Sequence, residues 1–440
     1  MSYPYSLPTT GTISFVDFLD NTGRYSAEIS DATAQRGRIR TVLKGLKKEA
    51  QESRDYRLIT NTIEDYLPYL ISIVNCLEHG ELKLQKQKNI ETSWRSTLSD
   101  HLIHTGSNAP RIMCSDIHYE LIFVLMTYAY ACSLQSNDIL KSVQHDSASA
   151  SMQYKKACII SEKRTKEIAC MIMMMRTLKA ADALNTAAGV FQYVANEVIP
   201  KWRQPSSNRP VETIKELSTA LSKMALADAQ SIAISNALLD SKFSNSLIAK
   251  LYIGVAGQYE MSYGLISSIS NGQEVSSDLK KYLSDGSQFY MAMAKKHLAL
   301  DAYDNNKIGE ALGFLRDCKA DLRIVQHAGL SKPHIRKSAV AARACKEEET
   351  VNELLQRYTN FNDKVLGDNS TAISSLLIYP YLKFACQRVP SRQDLQRLIP
   401  NGRGVLELKR FTLPPPMFGP RNEDHSESQT ARYAREGSYF

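Results

Sequence analysis

His101 and His104 stand three residues apart beside Asp100, with Cys114 and His118 a short way downstream. Imidazole, thiolate and carboxylate are the groups that hold zinc in a tetrahedral site. No pair here has the spacing of a zinc finger, and the segment reads as a loop, so surface histidines are the plainer reading. The eight cysteines, Cys76, Cys114, Cys132, Cys158, Cys170, Cys318, Cys345 and Cys386, form no Cys-x-x-Cys pair. Most sit among apolar or helical residues, as thiols do in a reducing compartment where Cys acts as a small buried hydrophobe. Met171, Met173, Met174 and Met175 make a third cluster. Methionine fills uneven gaps, and these four are expected in the core rather than in a binding groove. The sequence has no phosphate-cradling Gly-x-x-x-x-Gly-Lys-Ser/Thr, no Gly-x-Gly-x-x-Gly, no Gly-x-Ser-x-Gly elbow and no His-Glu-x-x-His. The expectation is a chain with no catalytic residue, no cofactor and no metal. An enzyme with an unfamiliar site near His101, His104 and His118 is the alternative, and stoichiometric zinc in the purified protein would revive it.

The elements that must position these residues belong to an ordinary folded chain. Over 440 residues, 43% are hydrophobic and 23% charged, with a net charge of +8. That balance supports a large core without staples and does not indicate a nucleic-acid partner. The positive charge is gathered between Arg36 and Arg57, with eight Lys/Arg against three Asp/Glu, and again between Arg388 and Arg410. Either run suits an acidic membrane leaflet or acidic partner helices, and a solvated helix face is the plainer reading. Met1 to Thr10 has no basic-then-apolar signal, and Leu121 to Ala131 is too short to span a bilayer. Ser2 stands where myristoylation needs glycine, and no prenylated Cys ends the chain. Membrane contact is expected to be peripheral or through a partner, and the setting cytoplasmic.

Along the chain, Thr12 to Phe18 alternates like a short half-buried strand. Ile39, Val42, Leu43 and Leu46 then begin a helical period, and a helix from about Tyr56 to Glu78 meets Pro68, which either kinks it or divides it. Tyr119 to Ala131 is apolar nearly all round and fits a central helix enclosed by others. A long helical stretch covers Ser149 to Val198, and helices resume at Glu212 through about Leu366, with a break near Ser270 to Ser277. Within it Gln288 to Leu322 reads as a helical hairpin of tetratricopeptide type, turning at Asp304-Asn305-Asn306. One domain is expected over 1–410, followed by a polar, mobile tail over 411–440 that contains Pro414-Pro415-Pro416.

Several segments resemble one family. Leu226-Ala227-Asp228-Ala229-Gln230, followed by Leu247-Ile248-Ala249-Lys250-Leu251, is similar to the Leu-Ala-Gln-Ala-Gln helix and the Ile-Ala-Lys-Leu segment of Bro domains, which occur in Alix and its fungal relatives. Phe289 to Ala294 with Ile308 to Leu315 resembles that family's next hairpin, Ala188 to Tyr193 its small-residue helix, and Tyr66-Leu67-Pro68 its early kinked helix. The order is kept over most of the chain. The opening Leu7 to Phe15 and the ending Gly437 to Phe440 look most like the family's fungal alkaline-pH signalling branch.

The resemblance implies a mostly α fold: a bent, elongated helical solenoid with a tetratricopeptide-like core and a small N-terminal β-sheet. It also implies an adaptor that binds the C-terminal amphipathic helix of the main ESCRT-III filament subunit, by helix-in-groove recognition. The matching positions are Ala233, Leu247 and Leu251, with Ile234 and Ile248 adjacent. Ala233 replaces an aromatic of some members. Leu247 and Leu251 serve equally well as core residues at this spacing. The implied partners are ESCRT-III and pH-signalling components, including a PalA-type protein, met at the cell cortex, plasma membrane or endosome. The bridge so formed would serve proteolytic activation of a zinc-finger transcription factor. Adaptation for multivesicular-body cargo sorting is the alternative.

Overall fold

The computed structural model describes residues 2–20, 24–50, 53–85, 89–100, 111–154, 162–202, 209–238, 243–269, 275–327, 339–371, 387–404 and 406–420. Among them the helices are α1 (Ser26–Lys48), α2 (Tyr56–Glu78), α3 (Ile117–Tyr154), α4 (Glu162–Tyr193), α5 (Lys215–Ala237), α6 (Asn245–Ser267), α7 (Ser277–Asp304), α8 (Ile308–His327), α9 (Ala339–Thr371) and the short α10 (Arg392–Arg397). Each from α1 to α9 packs on the next in chain order. This serial packing of hairpins makes an elongated solenoid with a largely continuous core.

Two strands, β1 (Thr92–Arg95) and β2 (Arg111–Cys114), pair antiparallel with Trp94 opposite Ile112. The segment expected as a strand, Thr12 to Phe18, instead forms a 3-10 turn at Phe15–Asp17. The turn buries both Phe15 and Leu19 while leaving Asp17 exposed, whereas an extended strand would carry Asp17 to the same face as the two apolar side chains. The chain just before it runs along β1, where Gly11 N donates to Ser93 O at 3.0 Å and Arg95 N to Thr9 O at 3.0 Å.

Arg36, read from sequence as part of a solvated basic face, is buried. Its guanidinium donates to Glu120 and to Thr10, Trp94 Nε1 donates to Glu120 Oε2 at 2.6 Å, and the cation lies 5.0 Å from the Trp94 ring centre. A buried charge with every partner supplied joins α1, α3 and β1; removing one member leaves the other unpaired at a cost of about 3–5 kcal/mol.

α2 is one continuous helix with Pro68 inside it. α3 carries the apolar run as a core helix. Its Ile117–Val143 stretch is long and apolar enough to cross a membrane by length and composition, and 94% of that window is buried inside the fold. α4 departs from expectation. Met171, Met174 and Met175 are about half exposed, with Ile172 and Leu178 beside them. These three methionines are therefore not core, because α4 buries its opposite side, Thr177, Ala180, Ala181 and Leu184, toward which the half-buried Met173 turns.

From residue 387 the chain turns back as an extended strap. Gly309 N of α8 donates to Gln387 Oε1 at 3.2 Å, and α10 sets Leu395 against Gly313. Arg403 N then donates to Lys250 O of α6 at 2.9 Å. Lys409 N donates to Asn185 Oδ1 of α4 at 3.0 Å. Finally Phe418 N donates to Ser72 Oγ of α2 at 2.9 Å. The strap thus visits α8, α6, α4 and α2 in turn. At three crossings the helix presents a glycine, Gly309, Gly254 or Gly189, where any Cβ would strike the strap carbonyl of Arg388, Arg403 or Lys409. The boundary expected at residue 410 falls inside this strap. Phe411 packs edge-on against Tyr193 and Phe418 is buried, so 411–420 is docked chain rather than tail. The rest of the expected tail, 421–440, lies outside the described residues.

Candidate docking surface

α5 and α6 form the hairpin that carries the expected docking positions. Ser244 caps α6 by accepting from Leu247 N at 3.3 Å. Asn245 ties the same end to α7 through Asp304 Oδ2 at 3.2 Å and His297 Nδ1 at 3.0 Å. His297 stacks on Tyr252, and burial lowers its pKa to about 4, so it is neutral near pH 7.

The five positions divide. Ile234 and Ile248 are each 1% exposed and Leu251 is 6% exposed, because α6 is clamped between α5 and α7 and these side chains fill the seams. Ala233 and Leu247 are half-buried, and Leu247 leans on the core from outside. Two apolar side chains not anticipated from sequence flank them at the same end of the hairpin: Leu238 at the C-cap of α5 and Phe243 just before α6, both nearly half exposed. Their signal was a large hydrophobic on each side of the polar run Asp240-Ser241-Lys242. The apolar side chains with exposed surface on this hairpin are thus Leu238 and Phe243, with Ala233 and Leu247 half-buried, while Ile234, Ile248 and Leu251 are buried.

Deeper in the hairpin, Asp228 is fully buried. Its Oδ1 accepts from Tyr259 OH and, at 3.4 Å, from Tyr282 OH, while Oδ2 has no hydrogen-bond partner. Burial pushes its carboxyl up to about 6, against the opposing pull of the two tyrosine hydroxyls. Gly286 makes room for the Tyr259 ring, and Arg343 of α9 donates to Tyr290 OH at 3.2 Å. The network ties α5, α6, α7 and α9. An open depression of about 350 Å³ on α6 and α7, lined by Glu260, Tyr263, Ser284, Gln288 and Lys295 among others, does not reach Asp228.

His101 and His104 lie outside the described residues. His118 sits at the start of α3 with Nδ1 3.0 Å from Asp116 Oδ1 and Nε2 3.2 Å from Glu78 Oε1. Burial disfavours its charge, but the two carboxylates outweigh burial and raise its pKa. Among the described residues no group of three or more His, Cys, Asp or Glu is placed to hold a metal ion.

A model of the BRO1-like domain matches residues 174–382, the stretch from α4 through α9. That stretch is similar to a BRO1-like domain. The pH-response regulator protein palC of Cryptococcus neoformans var. neoformans serotype D (strain B-3501A) is 27% identical over 523 aligned positions, covering all of this chain and 99% of that relative. The protein of the same name from Yarrowia lipolytica (strain CLIB 122 / E 150) is 24% identical over 497 positions, covering both chains completely. Among solved structures, an ALIX BRO1–CHMP4C complex superposes with a TM-score of 0.61 at 15% identity, over 94% of this chain and 96% of the other. At that identity the likeness shows the Bro fold alone. The docked strap lies beyond residue 382, so the packing extends outside the matched segment.

Proposed function

We propose that this chain is a non-enzymatic adaptor in ambient, alkaline-pH signalling. It links a plasma-membrane pH-sensing complex to ESCRT-III by binding the C-terminal amphipathic helix of the main ESCRT-III filament subunit. The assembly so built, with a PalA-type protein among its members, serves the proteolytic activation of a zinc-finger transcription factor. The observation that carries the pathway reading is the end-to-end likeness to two pH-response regulators named palC. The partner reading is supported by the fold shared with a Bro domain found in complex with CHMP4C. It is supported also by an open apolar surface at the end of the α5–α6 hairpin, of a kind that takes the apolar stripe of a helix.

Burial decides which residue reports on docking. Leu251→Asp places a charge in the α5–α6 seam and unfolds the hairpin, whereas Leu247→Asp changes a half-buried position. In a deletion strain, wild-type protein restores growth at alkaline pH, and the Leu247→Asp variant, present at the same level, does not. Cargo degradation is normal in all strains. Defective cargo degradation with normal alkaline growth assigns the chain to multivesicular-body sorting instead.

A further inference from the structure

The basic residues of α1 are of two kinds. Arg36 and Arg38 are paired with carboxylates, Glu120 and Asp65. Beyond them Arg40, Lys44 and Lys48 follow at four-residue intervals, which sets them one above another along the helix. β2 adds a fourth cation. Arg36 packs 5.0 Å from the Trp94 ring centre, so the next turn of α1, with Arg40, comes beside the end of the sheet where Arg111 stands opposite Arg95. Among the described residues, Arg40, Lys44, Lys48 and Arg111 have no acidic partner. Arg40 Nε is closed off from solvent and makes no hydrogen bond. Loss of solvent, and then the charges of Arg40, Arg111 and Lys48, hold the Lys44 ammonium below its ordinary pKa. Like charges four apart on a helix, or opposite across a sheet, cost stability. A fold that gathers four of them without a counter-charge leaves the counter-charge to a ligand.

We propose that this patch binds a multiply phosphorylated lipid headgroup at a membrane surface. Charge balance selects phosphate. A phosphomonoester carries about −1.5 to −2 at neutral pH, so two on one headgroup match the four cations, whereas two carboxylates leave half of that charge unmet. The exposed fork of Arg111 also suits phosphate oxygens. The neighbouring side chain points to a membrane. Met113 lies two residues from Arg111 on the same face of the sheet and is 63% exposed. An apolar side chain among cations fits the boundary between headgroups and acyl chains, where a soluble phosphate ligand gives the methionine nothing to cover it. The other face of the sheet carries buried Trp94 and belongs to the core, so the patch looks outward. α5 and α6 supply none of these residues, and the site does not depend on the docking surface there.

The test floats the full-length protein with phosphatidylcholine vesicles that carry either phosphatidylinositol bisphosphate or phosphatidylserine, matched in total charge. The bisphosphate vesicles bind at least about tenfold tighter. Lys44→Gln with Arg111→Gln weakens that binding by about thirtyfold, while Lys44→Arg, which keeps the charge, stays within about threefold of wild type. Because the glutamine variant removes two mutually repelling charges, its thermal melt stands at or above that of wild type. Leu247→Asp floats as wild type does, which separates this site from the α5–α6 surface. Equal binding to the two kinds of vesicle overturns the proposal, as does wild-type flotation by the glutamine variant. Soluble inositol trisphosphate bound as tightly as the bisphosphate vesicle assigns the patch to a soluble phosphate ligand. A polyglutamate peptide bound as tightly as that vesicle assigns it to an acidic protein segment. Either result likewise overturns the proposal.

Discussion

Asp228 occupies the place where the resembling family's helix has glutamine, and the substitution has a physical consequence. The carboxyl is fully buried, bonded through one oxygen to Tyr259 and Tyr282, and its pKa stands at about 6 against about 3.9 for an unfolded aspartate. Between those values the folded chain holds a proton the unfolded chain has released. The stability contributed by that proton is complete below about pH 4 and is lost as pH rises through 6, on the order of 3 kcal/mol in all. Asp228→Asn carries no such proton. Its stability relative to wild type should rise by about that amount between pH 4 and pH 7.5, read by denaturant unfolding at each pH. A difference that stays constant across the range contradicts a proton at this site.

At the scale of the elements, glycine placement is the sharpest observation. Gly254 and Gly257 lie one turn apart on α6, yet only Gly254 faces the strap, at the Arg403 carbonyl, while nothing stands within 4 Å of a Cβ built at Gly257. Alanine in a helix normally gains up to about 1 kcal/mol over glycine. Gly257→Ala should show that gain, and Gly254→Ala should instead lose about 1–3 kcal/mol by pushing the strap away. Equal gains at both positions contradict the strap's path. These contacts also explain what was legible beforehand. The α7–α8 hairpin and the core helix α3 were readable because their apolar period is local. The strap was not, because residues 387–420 have no periodicity and bind through backbone groups to helices far away in sequence. The methionines of α4 misled for a different reason: methionine suits a core gap and an open surface equally, and only the packing of the opposite side decides. The burial of the proposed docking positions was not legible. A four-residue spacing cannot tell Leu247 on the rim from Leu251 in the seam.

For the whole molecule, serial packing makes each helix dependent on its neighbours, and the strap adds contacts that skip along the row. Phe418 closes it against α2, where Met417 N donates to Pro68 O at 3.2 Å beside the buried Phe418 ring. Phe418→Ala should lower stability by about 3 kcal/mol, whereas Met417→Ala at its exposed neighbour changes it by less than about 0.5 kcal/mol, both read by denaturant unfolding. A rigid row of helices stabilised in this way suits a part that holds two other proteins in fixed relation, which is the role proposed. That role rests on one contact. Titration calorimetry of the full-length chain with the C-terminal helix of the main ESCRT-III filament subunit measures it most directly. The account predicts saturable one-to-one binding that Leu247→Asp weakens by about tenfold or more, with the thermal melt unchanged. Undiminished binding by Leu247→Asp, or no binding by the wild-type chain, would contradict it.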